Sequence, residues 1–432
     1  MRLRPISNGM KFEKKVFKNG LRAVVAPMKD TQAATLWVLF GTGSKYEVKE
    51  KNGISHFLEH LFFKGTKSRP KPGQVNLELD RLGAQSNAFT SKEFTGYYVK
   101  ASAKHFDMAL DIVSDILIRP IFKPEEIEKE RGVILQELSM YEDDPRRQAF
   151  EIFEELLYGD QPAGWDTGGT PESVKNILRK DILNYRNSHY LTSNAVVTVA
   201  GNIDTADTFK KIEKAFSKMS DGRKISKLPA RDEQAAPEVK FKKKDVDQTH
   251  VRIGVRAYNM FDERRWALTL LNTIIGGNWS SRLFMELREK LGLTYYVRSF
   301  LEQYSDTGYL MAAAGIPHES LPKVSKKIIE IMRDARVKGV SDKEIKFAKE
   351  YIRGSTALAF ESTDEVASFI ASQEIFYGKI MTPEEVLSKI EKVRKSDIMK
   401  TAKDILRPSK VNLAAIGPHG DAGLYKKILA DL

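Results

Sequence analysis

Two histidines and a glutamate within one helical turn can do hydrolytic chemistry, and the segment NGISHFLEHLFFKGT, residues 52–66, carries such a set. It reads as a short helix after a glycine, with Phe57, Leu58, Leu61 and Phe62 as its apolar packing. Successive helical residues turn by about 100°, so His56, Glu59 and His60 fall on one side. Histidines at i and i+4 can close on one Zn²⁺ at Zn–N lengths of about 2.0–2.1 Å. Glu59, one residue before the second histidine, would then reach a water at the metal rather than the metal. The plainer reading is a pair of surface histidines beside a charge. An apolar helix argues against it, because unpaired imidazole and carboxylate groups are destabilising there.

A catalytic zinc takes three protein ligands and keeps one position open, so a further carboxylate or histidine must come from another element. Residues 124–138 read as a helix with acidic residues in its first turns, where the helix dipole favours them. Glu130 and Glu137 lie two turns apart on one face of it. Spacing alone does not choose between them, and a solvated helix face accounts for any single glutamate here.

The order H-x-x-E-H inverts the commoner H-E-x-x-H and is the inverzincin arrangement. Together with NAFTSKEFT, residues 87–95, and the Glu130/Glu137 helix, it resembles the pitrilysin-type metallopeptidases. The likeness is greatest to their compact bacterial and mitochondrial-processing-peptidase branch. The resemblance implies that Glu137, at the spacing the family keeps from the motif, is the third zinc ligand, and that Glu130 supports the site. It implies one Zn²⁺ per chain, with Glu59 handling the proton in the hydrolysis of extended or unfolded peptides. It also implies that Asn87, Ala88 and Phe89 form a sheet edge that pairs with the substrate backbone, a mode that asks little of side chains. Arg288 and Tyr295, in ELREKLGLTYY, would contact the substrate near the scissile bond. Without the resemblance these are an ordinary strand, a helix-surface arginine and a strand tyrosine. Asn278, after Gly276 and Gly277, stands where the family often has a third glycine.

The same resemblance implies a homodimer, each chain forming half of a clamshell, with His56, Glu59 and His60 of one chain facing Arg288 and Tyr295 of the other. Two alternatives stand beside it. One is the active subunit of a heterodimer with a related chain. The other is a non-catalytic scaffold or peptide-binding subunit, against which the intact His56, Glu59, His60 and Glu137 argue.

The elements that must position these residues follow in chain order. A hairpin over 11–28 turns at Asn19-Gly20, a strand over 34–42 precedes the motif helix, and a helix over 73–82 ends at Gly83. Strands over 84–91 and 93–101 lead to helices over 104–118, 124–138 and 145–157. Gly164, Gly168 and Gly169 lie in a loop that lacks the Lys-Ser/Thr of a phosphate loop. A helix starts at Thr170-Pro171-Glu172, and 180–190, 194–201 and 205–219 read as helix, strand and helix. The polar, aperiodic stretch 221–237 reads as a linker. The second half repeats the element order: strand 250–257, helix 264–275, a helix ending at Leu291, strands 294–302 and 307–315, then helices 321–336, 342–359, 364–377, 383–392 and 396–405 and a last strand over 411–416. It has no H-x-x-E-H, and His250, His318 and His419 read as structural or exposed. The fold class is α+β, with two related domains of mostly antiparallel sheet and packed helices: 1–220 metal-binding, 221–237 linker, 238–432 substrate-contacting.

A chain of 432 residues is too long for one ordinary core. With no cysteine, it has no disulfide framework, and a metal must use histidine and carboxylate. The formal net charge of +12 is spread among acidic residues rather than gathered in one arm, and no nucleic-acid-binding signature is present. No apolar run reaches about 18 residues, and MRLRPIS lacks the apolar core of a secretory signal. The expectation is a cytoplasmic protein with no nucleic-acid or membrane partner.

Overall fold

In the computed structural model, residues 10–432 are described. Strands β1 (Glu13–Val16) and β2 (Arg22–Pro27) form the hairpin, whose turn needs Gly20 at φ 82°. Then come β3 (Ala33–Phe40), α1 (Ile54–Phe62), α2 (Gln74–Arg81), β4 (Gln85–Thr90), β5 (Thr95–Ser102) and α3 (Phe106–Ile118). Helices α4 (Pro124–Asp143), α5 (Pro145–Tyr158), α6 (Pro171–Asn176) and α7 (Arg179–His189), strand β6 (Ala195–Gly201) and α8 (Thr205–Ala215) follow. The first sheet has the order β1-β2-β6-β3-β5-β4, with β2 and β6 its parallel pair.

The second half contains β7 (Glu238–Lys243), β8 (Thr249–Ala257), α9 (Arg265–Ile275), a π-helix over Phe284–Lys290, β9 (Tyr296–Gln303) and β10 (Gly308–Ile316). It continues through α10 (Leu321–Val337), α11 (Asp342–Ala359), α12 (Thr363–Tyr377), α13 (Pro383–Lys392), α14 (Lys395–Ile405), β11 (Val411–Gly417) and α15 (Ala422–Ala430). Its sheet runs β7-β11-β8-β10-β9, again with one parallel pair, β7 and β11.

Period-two alternation puts a core on each face of each sheet. In the first, Ala23, Val25, Leu36, Val38 and Phe40 pack with α1, α3, α7 and α8, while Val24, Ala26, Trp37 and Leu39 pack on α12. In the second, Val251, Ile253, Val255 and Leu413 face α9, α10 and α14, while Met311, Ala414 and Ile416 face α5.

This exchange of helices departs from a contiguous division at 220 and 238. One compact unit comprises residues 10–138, 166–228 and 355–386; the other comprises 139–165, 229–354 and 387–432. Boundaries fall inside α4, α11 and α13, and each half of the chain supplies a helix to the other unit's core. The 221–237 stretch has neither helix nor strand, and its residues are tied down. Lys227 lies 3.3 Å from Glu93 in the first unit, and the Ala230 N–H donates to Asp306 at 2.9 Å in the second.

Three elements differ from the sequence reading. Strand β7, EVKFKK, offers only two apolar residues, and its partner β11 lies far along the chain. Helix α15 follows the last strand, where the sequence reading placed no element, and is capped by Asp421, whose side chain accepts the Gly423 N–H at 2.9 Å. The helix carrying Arg288 is wound as a π-helix. Among the described residues, no helix is long and apolar enough to cross a membrane.

Candidate metal centre

Helix α1 turns Ile54, Phe57, Leu58, Leu61 and Phe62 into the core and leaves His56, Glu59 and His60 at the half-buried rim. Helix α4 lies beside it with Ile127, Glu130 and Ile134 buried. Arg131 fixes α4 by donating to the carbonyls of Val174 and Ile177, and its guanidinium sits 5.2 Å from the Phe57 ring. The two helices bring Glu137 Oε2 to 3.6 Å from His56 Nε2 and 3.4 Å from His60 Nε2.

Donors each about 2.0–2.1 Å from a tetrahedral ion stand about 3.3–3.4 Å apart. The observed separations, with all three donor atoms within 4.8 Å of one another, fit such an ion. Two imidazoles and a carboxylate also suit zinc chemically.

Glu130 stands behind His60. Its Oε2 accepts from His60 Nδ1 at 3.2 Å, and its Oε1 pairs with Lys64 Nζ at 2.7 Å. When the ring is neutral, a carboxylate that only accepts keeps the proton on Nδ1 and leaves Nε2 as the nitrogen able to hold a metal. Burial alone would raise the Glu130 carboxyl; the bonds from His60 and Lys64 outweigh it and hold it below the usual range. Burial alone would lower His60, but its bonds to Glu130 and Glu137 and the nearby carboxylate charges raise it to about 9 in the absence of metal. Glu59 is pushed up, chiefly by burial and further by the charge of Glu137, against a hydrogen bond from Thr90 and the charge of His60.

Strand β4 is a sheet edge, paired on one side with β5. Asn87 is exposed, and its Oδ1 accepts the Ala88 N–H at 3.0 Å. Phe89 is committed differently: its ring lies over Gly96, where a Cβ would stand 2.2 Å away, and against Trp37 and Phe94. In the other unit, Arg288 donates to the carbonyls of Thr294 at 2.7 Å and Tyr295 at 3.1 Å, while the Tyr295 side chain is 77% exposed. Those two residues are therefore brought together, across a turn that needs Gly292 at φ 60°. At the neighbouring turn Asn278 donates to the Thr273 carbonyl at 3.2 Å and accepts the Ser280 N–H at 2.8 Å.

The family model described as Insulinase (Peptidase family M16) matches residues 23–170, and Peptidase M16 inactive domain matches 176–352. The chain is 34% identical to the uncharacterized zinc protease YmxG of Bacillus subtilis, over 94% of this chain and 98% of that one. It is 35% identical to an uncharacterized zinc protease of Rickettsia felis, over 93% and 96%. The chain belongs to peptidase family M16.

The M16 fold extends to solved structures. A protease from Helicobacter pylori superposes with a TM-score of 0.88 at 25% identity, covering 95% of this chain and all of that one. An M16 inactive domain from Pseudomonas fluorescens gives 0.88 at 17% identity, covering 95% and 98%, a likeness of fold.

Two further residues of this M16 chain bond directly to α1 or to a side chain it carries, and the sequence reading gave neither a role of its own. Thr90, at the end of β4, donates to Glu59 Oε2 at 2.6 Å. Glu47, buried before α1, accepts from the N–H groups of Gly53 at 2.7 Å and Ser55 at 2.8 Å. Thr90 lies within the NAFT run and was legible as a neighbour of the edge strand. Glu47 left no motif.

Proposed function

We propose that this M16 chain is a zinc endopeptidase that hydrolyses peptide bonds in extended or unfolded segments, working in the cytoplasm. The observation that carries the reading is the convergence of His56, His60 and Glu137, whose donor atoms lie within 4.8 Å of one another with Glu137 at 3.6 and 3.4 Å from the two imidazoles, and with Glu59 on the same helix face. Those three residues would hold zinc, which when bound supplies Lewis acidity to the scissile carbonyl and to water.

Glu59 takes the proton from the attacking water and returns it to the leaving amine nitrogen. Its raised pKa keeps the carboxyl a stronger base than an exposed glutamate. The Thr90 hydroxyl orients it. Glu130 fixes the His60 tautomer and ring plane. The substrate backbone adds to the β4 edge at Asn87 and Ala88, displacing the bond Asn87 makes to its neighbour. Phe89 serves that edge by anchoring it to the sheet.

Two such chains form a symmetric dimer, with Arg288 and Tyr295 of one completing the site of the other. Zinc analysis with a peptide-cleavage assay on the purified chain tests the core of the reading; a chain that binds no zinc removes it. For the dimer, Glu59→Gln and Arg288→Ala proteins are mixed under verified subunit exchange. Recovered cleavage supports the shared site, and none rules it out.

A further inference from the structure

We infer that Glu47 is a positioning residue for the metal centre: an imported cap that holds the first turn of α1, and with it His56, in register with Glu137. The inference rests on the zinc reading above. A helix start leaves four backbone N–H groups without helical partners, and Ser, Thr, Asp or Asn at the N-cap ordinarily serves one of them. Here the N-cap is Gly53, at φ 95°, a conformation that side chains disfavour. A Cβ at Gly53 would stand 2.4 Å from the Gly168 carbonyl oxygen, so a side-chain cap is excluded on space as well.

Glu47 supplies what the N-cap cannot. Its carboxylate accepts from the Gly53 N–H, the Ser55 N–H and Asn52 Nδ2, at 2.7, 2.8 and 2.8 Å. A negative charge at a helix N-terminus is also favoured by the helix dipole. The residue is 5% exposed, so water does not replace it. Asn52 ties the cap to the loop that crowds Gly53: its Nδ2 also donates to the Asp166 carbonyl at 3.0 Å, and its own carbonyl accepts from Ser173 Oγ at 2.7 Å. That loop lies against both ligand-bearing helices, since a Cβ at Gly168 would stand 2.9 Å from Leu138 Cδ2 and 3.9 Å from His56 Nδ1. His56 is the third residue of a nine-residue helix, within the turn this cap orders. His60, a turn later, is steadied separately by Glu130.

The test measures zinc affinity by chelator competition, together with the melting temperature of the metal-free protein. The proteins are wild type, Glu47→Gln, Glu47→Asp and a control, Glu154→Gln. Glu154 is an equally buried carboxylate in the other unit, accepting from Tyr304 at 2.8 Å and Tyr309 at 3.1 Å. Glu47→Gln turns one acceptor into a donor facing an N–H, and zinc affinity is expected to fall about 10–100-fold, as for other groups that orient metal ligands. Glu47→Asp keeps both acceptors on a shorter arm and is expected to recover part of that loss. Glu154→Gln should lower melting with zinc affinity unchanged. If Glu47→Gln melts lower yet binds zinc like wild type, Glu47 is structural only and the inference is overturned. Should Glu47→Gln not fold, Asn52→Ala carries the same test, with a smaller loss of zinc affinity expected because only one of the cap's bonds is removed; unchanged affinity there overturns it equally. Wild-type protein that binds no zinc at all would instead remove the metal reading itself.

Discussion

Strand β3 leads into α1 and strand β8 leads into α9, at equivalent places in two sheets of matching order. If β2, β6, β3, β5 and β4 are set beside β7, β11, β8, β10 and β9, every pairing and direction corresponds, and β1 is the addition. Yet α1 exposes His56, Glu59 and His60 on its rim, while α9 buries Ala267, Leu268, Leu270, Leu271, Ile274 and Ile275 and has no histidine. The strand framework and the buried face of the helix are shared, so they are requirements of folding. The candidate site is an overlay of a few polar residues, together with the carboxylates of α4 that meet them. The edges differ in the same way. Of the four outer strands, β1 and β7 carry Lys14, Lys15, Lys240, Lys242 and Lys243, which discourage strand addition, and β9, the counterpart of β4, carries Arg298 and Glu302, whereas β4 reads QSNAFT without a charge.

If the overlay is separable from the fold, its removal should abolish function without unfolding either unit. The largest effect is expected from His60→Ala or Glu137→Ala. Zinc and cleavage should both be lost while circular dichroism stays near wild type. Glu59→Gln should follow, lowering kcat by about 10²–10⁴-fold with zinc retained, as metal analysis beside the assay would show. Near-normal turnover by that protein would sink the assignment of proton transfer to Glu59.

Acid should press on both units in the same pH window. Burial lowers His189, on α7 beneath α1, to about 4; burial and the nearby Arg252 lower His250, on β8, to about 4. An unfolded histidine takes up its proton near pH 6.5, and these folded ones do not until about pH 4. The stability these two histidines contribute is therefore intact above about pH 6.5, falls as pH drops through that window and levels off below it. For His189, held by Thr42 at 3.1 Å and stacked on Tyr185, the loss is on the order of 3 kcal/mol. Urea melts across pH should show the slope, and His189→Gln should flatten it.

Smaller effects come from residues that assist. Under the proposed reading, in which Arg288 grips the substrate in the transition state, Arg288→Ala should lower kcat/KM by about tenfold to a hundredfold at unchanged zinc affinity. Thr90→Val, which removes one hydrogen bond to Glu59, should cost about 1.5–3 kcal/mol of transition-state stabilisation at most, with Thr90→Ser close to wild type. Equal activity of Thr90→Val and wild type would show that Glu59 needs no orienting partner.

The histidine helix was legible because its signal is local: five residues state both the candidate ligands and the apolar face that buries beside them. The α4 carboxylates were half legible, since helix and face follow from the sequence but the choice of Glu137 rests on family likeness. Glu47 was not legible, because a cap imported from six residues upstream depends on Gly168 occupying the space a local cap would use. The exchange of α5 and α12 was hidden for a related reason. An amphipathic helix announces that it will bury one face, and nothing in its periodicity says against which sheet.

That exchange has a consequence for biosynthesis. The face of the first sheet formed by Val24, Ala26, Trp37, Leu39, Val196 and Ala200 is covered by Val366, Ala367, Ile370, Ala371 and Ile375 of α12. All the strands of that sheet have left the ribosome long before α12 is translated. At about 5–20 residues per second, the wait is on the order of ten to thirty seconds. Throughout it the apolar residues of that face have been made while the helix that covers them has not, and they are suited to a holdase chaperone. Slowing translation between residues 228 and 363 should lengthen that dependence, and a chain ending before α12 should never outgrow it.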